Sequence, residues 1–110
     1  MAGWYEIKSN DKGQYSFVLK AGNGEVILAS EQYESKASAD NGIASVQKNS
    51  PLAERYESKE ASDGRQYFVL KAANHQVIGT SQMYQSAASR DKGIESVKTN
   101  GPTTTVKTAA

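Results

Sequence analysis

Few side chains in this chain of 110 residues could carry out chemistry. His75 is the single histidine, and there is no cysteine. One imidazole cannot supply the two or three that the common catalytic metal sites need. Without thiols there is no thiolate nucleophile, no disulfide and no cysteine-based zinc site. Neither a metal nor a cofactor is expected. His75 falls in a turn, where it reads as a solvated residue. Serines are numerous, but Ser30, Ser35, Ser38 and Ser45 suit caps and helix surface, and no Gly-x-Ser-x-Gly elbow occurs. Glu6 and Glu57 recur at equivalent places, as do Asp40 and Asp91. Glu6 lies on the strand face opposite Tyr5, and Asp40 lies near a helix start, where the macrodipole favours an acid. Neither phosphate-cradling glycine pattern, Gly-x-Gly-x-x-Gly or Gly-x(4)-Gly-Lys-[Ser/Thr], is present. No catalytic residue is assigned, and the chain reads as a non-enzyme.

Charge narrows the partners. Thirteen Lys+Arg against 12 Asp+Glu give a net charge of +1. The signs are interleaved, with none of the basic excess that marks a nucleic-acid-binding domain. Tyr15-Ser16-Phe17-Val18-Leu19-Lys20 loosely echoes the aromatic strand of RNA-recognition motifs. A lysine stands where the last aromatic belongs, and the preceding glycine is one residue out of place. Tyr15 and Phe17 should also face helices, where bases cannot stack on them. The N-terminus lacks a basic segment followed by an apolar one, and no apolar run reaches the length of a membrane helix. The expectation is a cytoplasmic monomer that binds a protein partner and no membrane. Weak nucleic-acid binding is the alternative, and a small enzyme with a carboxylate or tyrosine acid–base site ranks below it.

These residues are held by a unit written twice. Displaced by 51 positions, residues 4–51 fall on 55–102 without a gap, and 24 of the 48 positions are identical. Two copies are too few for a solenoid. A unit of this size buries too little surface to be secure alone, so the halves should share one core as an internal pseudo-dimer.

Within a unit, residues 4–9 alternate as a half-buried strand does. Asn10–Gly13 and its counterpart Ala61–Gly64 are turns ending in glycine, which takes a positive φ cheaply. Residues 15–21 form a second strand, with Tyr15, Phe17, Leu19 and Ala21 on one side. Gly22-Asn23-Gly24-Glu25 centres a two-residue Asn-Gly hairpin turn, weakened to Asn74-His75 in the second copy. Residues 26–30 and 77–81 are third strands. Helices run from about Ser35 to Lys48 and from about Ser86 to Thr99, with the serines as N-caps. Ala39, Ile43 and Val46 share a stripe. Asn49 and Asn100 suit left-handed C-caps, and Pro51 and Pro102 stop further winding. Gly42 and Gly93 each cost about 1 kcal/mol relative to alanine in mid-helix, which implies a helix backbone pressed against the sheet. Residues 103–108 are β-branched enough for a last strand, and Ala109-Ala110 should fray. The whole is one domain, βββα twice plus a terminal strand: an α+β fold with an antiparallel sheet and two helices on one face.

The run Phe-Val-Leu-Lys-Ala, then Asn, Val-Ile, Ser-x-x-Tyr and Gly-Ile-x-Ser-Val, resembles the YegP-like family of small uncharacterised bacterial proteins, in its duplicated branch. The resemblance covers nearly the whole chain. It implies a β(3)-α-β unit, present as a tandem pair or as two subunits, with one continuous sheet and the C-terminal strands exchanged between units. It implies no reaction, cofactor or catalytic residue. Trp4 against Arg55, Leu28 against Gly79 and Gly24 against His75 depart from symmetry.

The sheet face away from the helices is the candidate binding surface. It should carry Val18, Lys20 and Ile27, with Val69, Lys71 and Ile78 from the second copy. A two-residue turn at Asn23-Gly24 would set Lys20 opposite Ile27 and Val18 opposite Ala29. The second copy would pair Lys71 with Ile78 and Val69 with Thr80. Partly exposed apolar groups beside two lysines could dock a partner, unless the lysine stems lie over them with their ammonium groups in water.

Overall fold

The computed structural model describes residues 3–108. Its strands are β1 (Trp4–Ser9), β2 (Tyr15–Lys20), β3 (Val26–Ala29), β4 (Tyr56–Glu60), β5 (Gln66–Lys71), β6 (Val77–Thr80) and β7 (Val106–Thr108). Its helices are α1 (Lys36–Asn49) and α2 (Ala87–Asn100), with a short 3₁₀ turn at Ala53–Arg55. The strands form one seven-stranded sheet in the order β4-β5-β6-β3-β2-β1-β7. The repeats meet at β3 and β6, which pair antiparallel at Ala29 and Thr80. Ala109 and Ala110, expected to fray, lie outside the described residues.

The local signals translate directly. Gly13 and Gly64 take φ of 77° and 89°. Ser35 and Ser86 are N-caps, each accepting from the backbone N–H three residues on at 3.1 Å. Ala39, Ile43 and Val46 are buried, as are Gly42 and Gly93. What crowds those glycines is an aromatic ring. A Cβ on Gly42 would lie 2.5 Å from the Tyr33 hydroxyl and 2.9 Å from Phe17, and one on Gly93 would collide with Tyr84. Tyr33 and Tyr84 stack on Phe17 and Phe68 at 6.1 and 6.4 Å, so each helix rides on an aromatic pair rooted in the sheet.

Three expectations need correction. The sheet is mixed: β7 lies parallel to β1, with Val106 opposite Tyr5 and Lys107 opposite Glu6. The strand following the second repeat thus completes the edge of the first, while the chain leaving α1 runs into β4. The hairpin turns are also longer than two residues. Ala21 bonds to both Gly24 and Glu25, and Ala72 to both His75 and Gln76. Gly24 and His75 sit at φ of 86° and 70°. This is a three-residue loop with a left-handed third residue, and it inserts a bulge. Lys20 therefore pairs with Val26 and not Ile27, and Lys71 with Val77 and not Ile78. Beyond the bulge Val18 does meet Ala29, and Val69 meets Thr80.

Asn49 and Asn100 are the third correction. Both are final helical residues, followed by right-handed Ser50 and Gly101 with φ of −59° and −57°. Their amides turn back to the Ser45 and Ser96 carbonyls at 2.8 Å, and their Oδ1 atoms accept from Arg55 Nε at 2.9 Å and the Gly3 N–H at 2.8 Å. A buried amide that satisfies two elements at once outweighs a left-handed cap, because leaving those groups unpaired would cost about 1–3 kcal/mol each.

One core serves both halves. Tyr5, Ile7, Phe17, Leu19, Leu28, Ile43 and Val46 from the first repeat join Phe68, Leu70 and Val97 from the second in a single buried cluster. Tyr5 donates its hydroxyl to the Gly101 carbonyl at 2.6 Å, and Tyr56 donates to Ser50 at 2.7 Å. Burial pushes both phenols far above their ordinary range. A Cβ on Gly101 would collide with Ser50, so the helix ends touch. The sheet curls around the helix pair to bring both tyrosines there.

Candidate binding face of the sheet

Strand alternation sends Tyr5, Ile7, Phe17 and Leu19 to the helices. The opposite face receives Trp4, Glu6 and Lys8 from β1, Ser16, Val18 and Lys20 from β2, and Glu57 and Lys59 from β4. Tyr67, Val69 and Lys71 come from β5, and Lys107 from β7. Among the described residues no helix covers this side.

The six residues expected on this face differ in what they offer. Ile27 and Val69 are each 4% exposed, too little for a partner to touch. Val18 and Ile78 are half-buried. The exposed valines are Val26 and Val77, beside the bulge, at 40% and 42%, and neither is among the six. The lysines are not simply solvated. Lys20 Nζ lies 3.0 Å from Glu6 Oε2, and Lys71 pairs with Glu57 Oε1. The recurring glutamates that could have suggested acid–base chemistry are thus bound to the recurring lysines across the strand pair. Asp40 pairs with Lys36 at 3.3 Å on the exposed helix surface, beyond the first turn, which holds no acid.

Each cluster adds a second cation by a different route. Trp4 Nε1 donates to Glu6 at 2.9 Å, and Lys107 places its ammonium 4.3 Å from the Trp4 ring centroid, a cation–π seat. Around Glu57 the second cation is Lys59, 3.4 Å away. The Trp4 and Lys20 hydrogen bonds hold the Glu6 carboxyl below the usual range, and Lys71 then Lys59 do the same for Glu57. The face carries Lys8, Lys20, Lys59, Lys71 and Lys107 against Glu6 and Glu57, so it is positive in a chain whose net charge is only +1.

Trp4, Glu6, Lys59, Glu57 and Lys107 were not singled out for this surface from sequence. The short Asn10–Gly13 turn fixes the β1–β2 register, which sets Trp4 opposite Lys20 and Glu6 one step diagonal to it. That signal was available. The approach of Lys107 was not, because it depends on a strand pairing across nearly the whole chain.

Two βββα units on one curled sheet, with a paired helix layer inside and a lysine-rich face outside, define a tandem-repeat α+β domain. Comparison with known proteins places it further. The family model described as "Domain of unknown function (DUF1508)" matches residues 10–57 and again 61–107, and the chain belongs to that family. A UPF0339 protein of Acinetobacter baylyi is 69% identical over 107 residues, covering 97% of this chain and 96% of its own. The UPF0339 protein YegP of Escherichia coli K12 is 64% identical, covering 97% of each. The solution NMR structure of E. coli YegP, described as a protein of unknown function, superposes with a TM-score of 0.92 at 63% identity, over 98% of this chain and 93% of that one. A UPF0339 protein from Shewanella oneidensis, also solved by NMR, gives 0.92 at 60% identity, over 98% and 92%. The resemblance read from the motifs is therefore the family; the continuous sheet it implied is observed, with one strand, β7, crossing from the second repeat to the first.

Proposed function

We propose that the chain is a non-enzymatic binding module whose working surface is the helix-free face of the sheet, and that it docks an acidic segment of a protein partner. The observation that carries this reading is charge segregation. A nearly neutral chain gathers five lysines against two glutamates on one uncovered face, and such a surface steers an anionic partner toward it. Half-buried Val18 and Ile78 and exposed Val26 and Val77 supply apolar contact among the charges. The ion pairs hold Lys20 and Lys71 in place, so little side-chain freedom is lost on docking.

Chemical-shift mapping with a Glu/Asp-rich peptide tests it. Saturable shifts should centre on Val18, Lys20, Lys71 and Val77, and should weaken in a Lys20→Glu/Lys71→Glu variant that keeps the native spectrum. Shifts confined to the helix side, or none, would remove the reading. The same titration with single-stranded oligonucleotide separates the alternative: a gel shift that fades steeply with salt would mark weak nucleic-acid binding instead. Trp4 argues against that alternative, since Lys107 already occupies one face of its ring.

A further inference from the structure

Asn49 and Asn100 hold equivalent positions but different partners. At the end of α2, Asn100 accepts the Gly3 N–H, and the Gly3 backbone is packed so closely that a Cβ there would collide with the Lys20 carbonyl. At the end of α1, Asn49 instead accepts from Arg55 Nε at 2.9 Å. Beside it opens a pocket of about 400 Å³ between the last turn of α1 (Ser45, Lys48, Asn49), Arg55 and the β5–β6 turn at Ala72–Asn74. Its lining holds two cations and no carboxylate. Among the described residues neither Lys48 nor Arg55 enters an ion pair, whereas Lys98, the basic residue in the last turn of α2, is bound to Glu95 at 3.1 Å. The second-repeat counterpart of Lys48 is Thr99 and the first-repeat counterpart of Arg55 is Trp4, so the repeat architecture does not require cations there.

We propose that this pocket binds a small organic phosphate. Asn49 fixes the Arg55 guanidinium through Nε and leaves its two terminal nitrogens as a planar fork, the geometry that matches phosphate oxygens. Lys48 adds a point charge, and Asn74 and Ser45 add neutral polar groups. Leu52 and the methyl groups of Ala72 and Ala73 form an apolar wall for the organic body. The volume falls at the low end of small-molecule sites, roughly 300–1,000 Å³. The site is separate from the sheet face, so either proposal can fail without the other.

The test is an amide chemical-shift titration of the full chain with inorganic phosphate, adenosine monophosphate and acetate at matched ionic strength. Phosphate and the nucleotide should give saturable shifts at Lys48, Asn49, Arg55 and Asn74, with the nucleotide the tighter of the two. Arg55→Gln should weaken binding at least tenfold. Lys48→Gln, on the helix surface, should weaken it severalfold with the native spectrum retained, which keeps the test valid if the arginine variant unfolds. No saturation by about 10 mM, a free energy of only a few kcal/mol, would overturn the proposal. So would acetate binding as tightly as phosphate, saturation at other residues, or binding unchanged in Lys48→Gln.

Discussion

Leu28 and Gly79 occupy one position of the repeat, and Ser50 and Gly101 another. Each pair meets itself across the pseudo-twofold axis. A Cβ on Gly79 would lie 2.5 Å from Leu28 Cδ2, and one on Gly101 would collide with Ser50. In a symmetric dimer a residue on the axis faces its own copy, so both must be large or both small. Fusion into one chain lifts that restriction. The first repeat supplies the larger member of each pair, and the second supplies the space. The two halves are half identical along their length, yet at the axis they have become complementary.

The comparison can be broken at its centre. Gly79→Leu restores symmetry by placing two leucines in one space, and should destabilise the fold by about 3 kcal/mol through overpacking. Leu28→Gly should cost as much or more, because it leaves a cavity and loosens β3. The double exchange Leu28→Gly/Gly79→Leu should recover most of the loss. Chemical denaturation of all four proteins measures the coupling, and purely additive effects would mean that the residues do not share one space.

A smaller effect separates the tyrosines from the rest of the core. Tyr5→Phe removes the donor to Gly101 and leaves that carbonyl short of a partner, at a cost of about 1–2 kcal/mol. Tyr56→Phe, which removes the donor to Ser50, should behave alike if the two ends are equivalent. Smaller still is Ser50→Ala. The Ser50 hydroxyl oxygen is buried and finds no partner among the described residues. Its removal should be neutral or stabilise by up to about 1 kcal/mol in thermal denaturation.

The faintest test concerns acid. The Glu6 and Glu57 carboxyls titrate below their ordinary value in the folded chain. Their contribution is present above the unfolded-state pKa and is lost as pH falls through the lower folded value. Both are solvent-accessible, so the effect should be slight and reduced by salt. A Glu6→Gln/Glu57→Gln variant should show a shallower loss of stability between about pH 5 and pH 3 than the parent.

What the sequence disclosed follows from range. Caps at Ser35 and Ser86, the glycine turns and the helix stripe depend on residues a few positions apart, and all could be read. The duplication made the shared sheet legible, since neither half could stand alone. The β2–β3 pairing expected from the sequence holds at Val18 and Ala29 and is off by one residue only beside the turn, at Lys20, because the turn type depends on a left-handed Gly24 that a two-residue loop also accepts. The open face was foreseen, but not its ion pairs, which need cross-strand register. The Arg55 pocket could not be seen, because it exists only where α1 crosses to the second repeat's hairpin.

Native-state hydrogen exchange tests the shared core most directly. The account predicts that the slowest amides of β2, around Leu19, and of β5, around Leu70, open with one common free energy, equal within about 1 kcal/mol to that of global unfolding. Exchange of one repeat's amides at a clearly lower free energy, while the other stays protected, would mean two independent units and would contradict it.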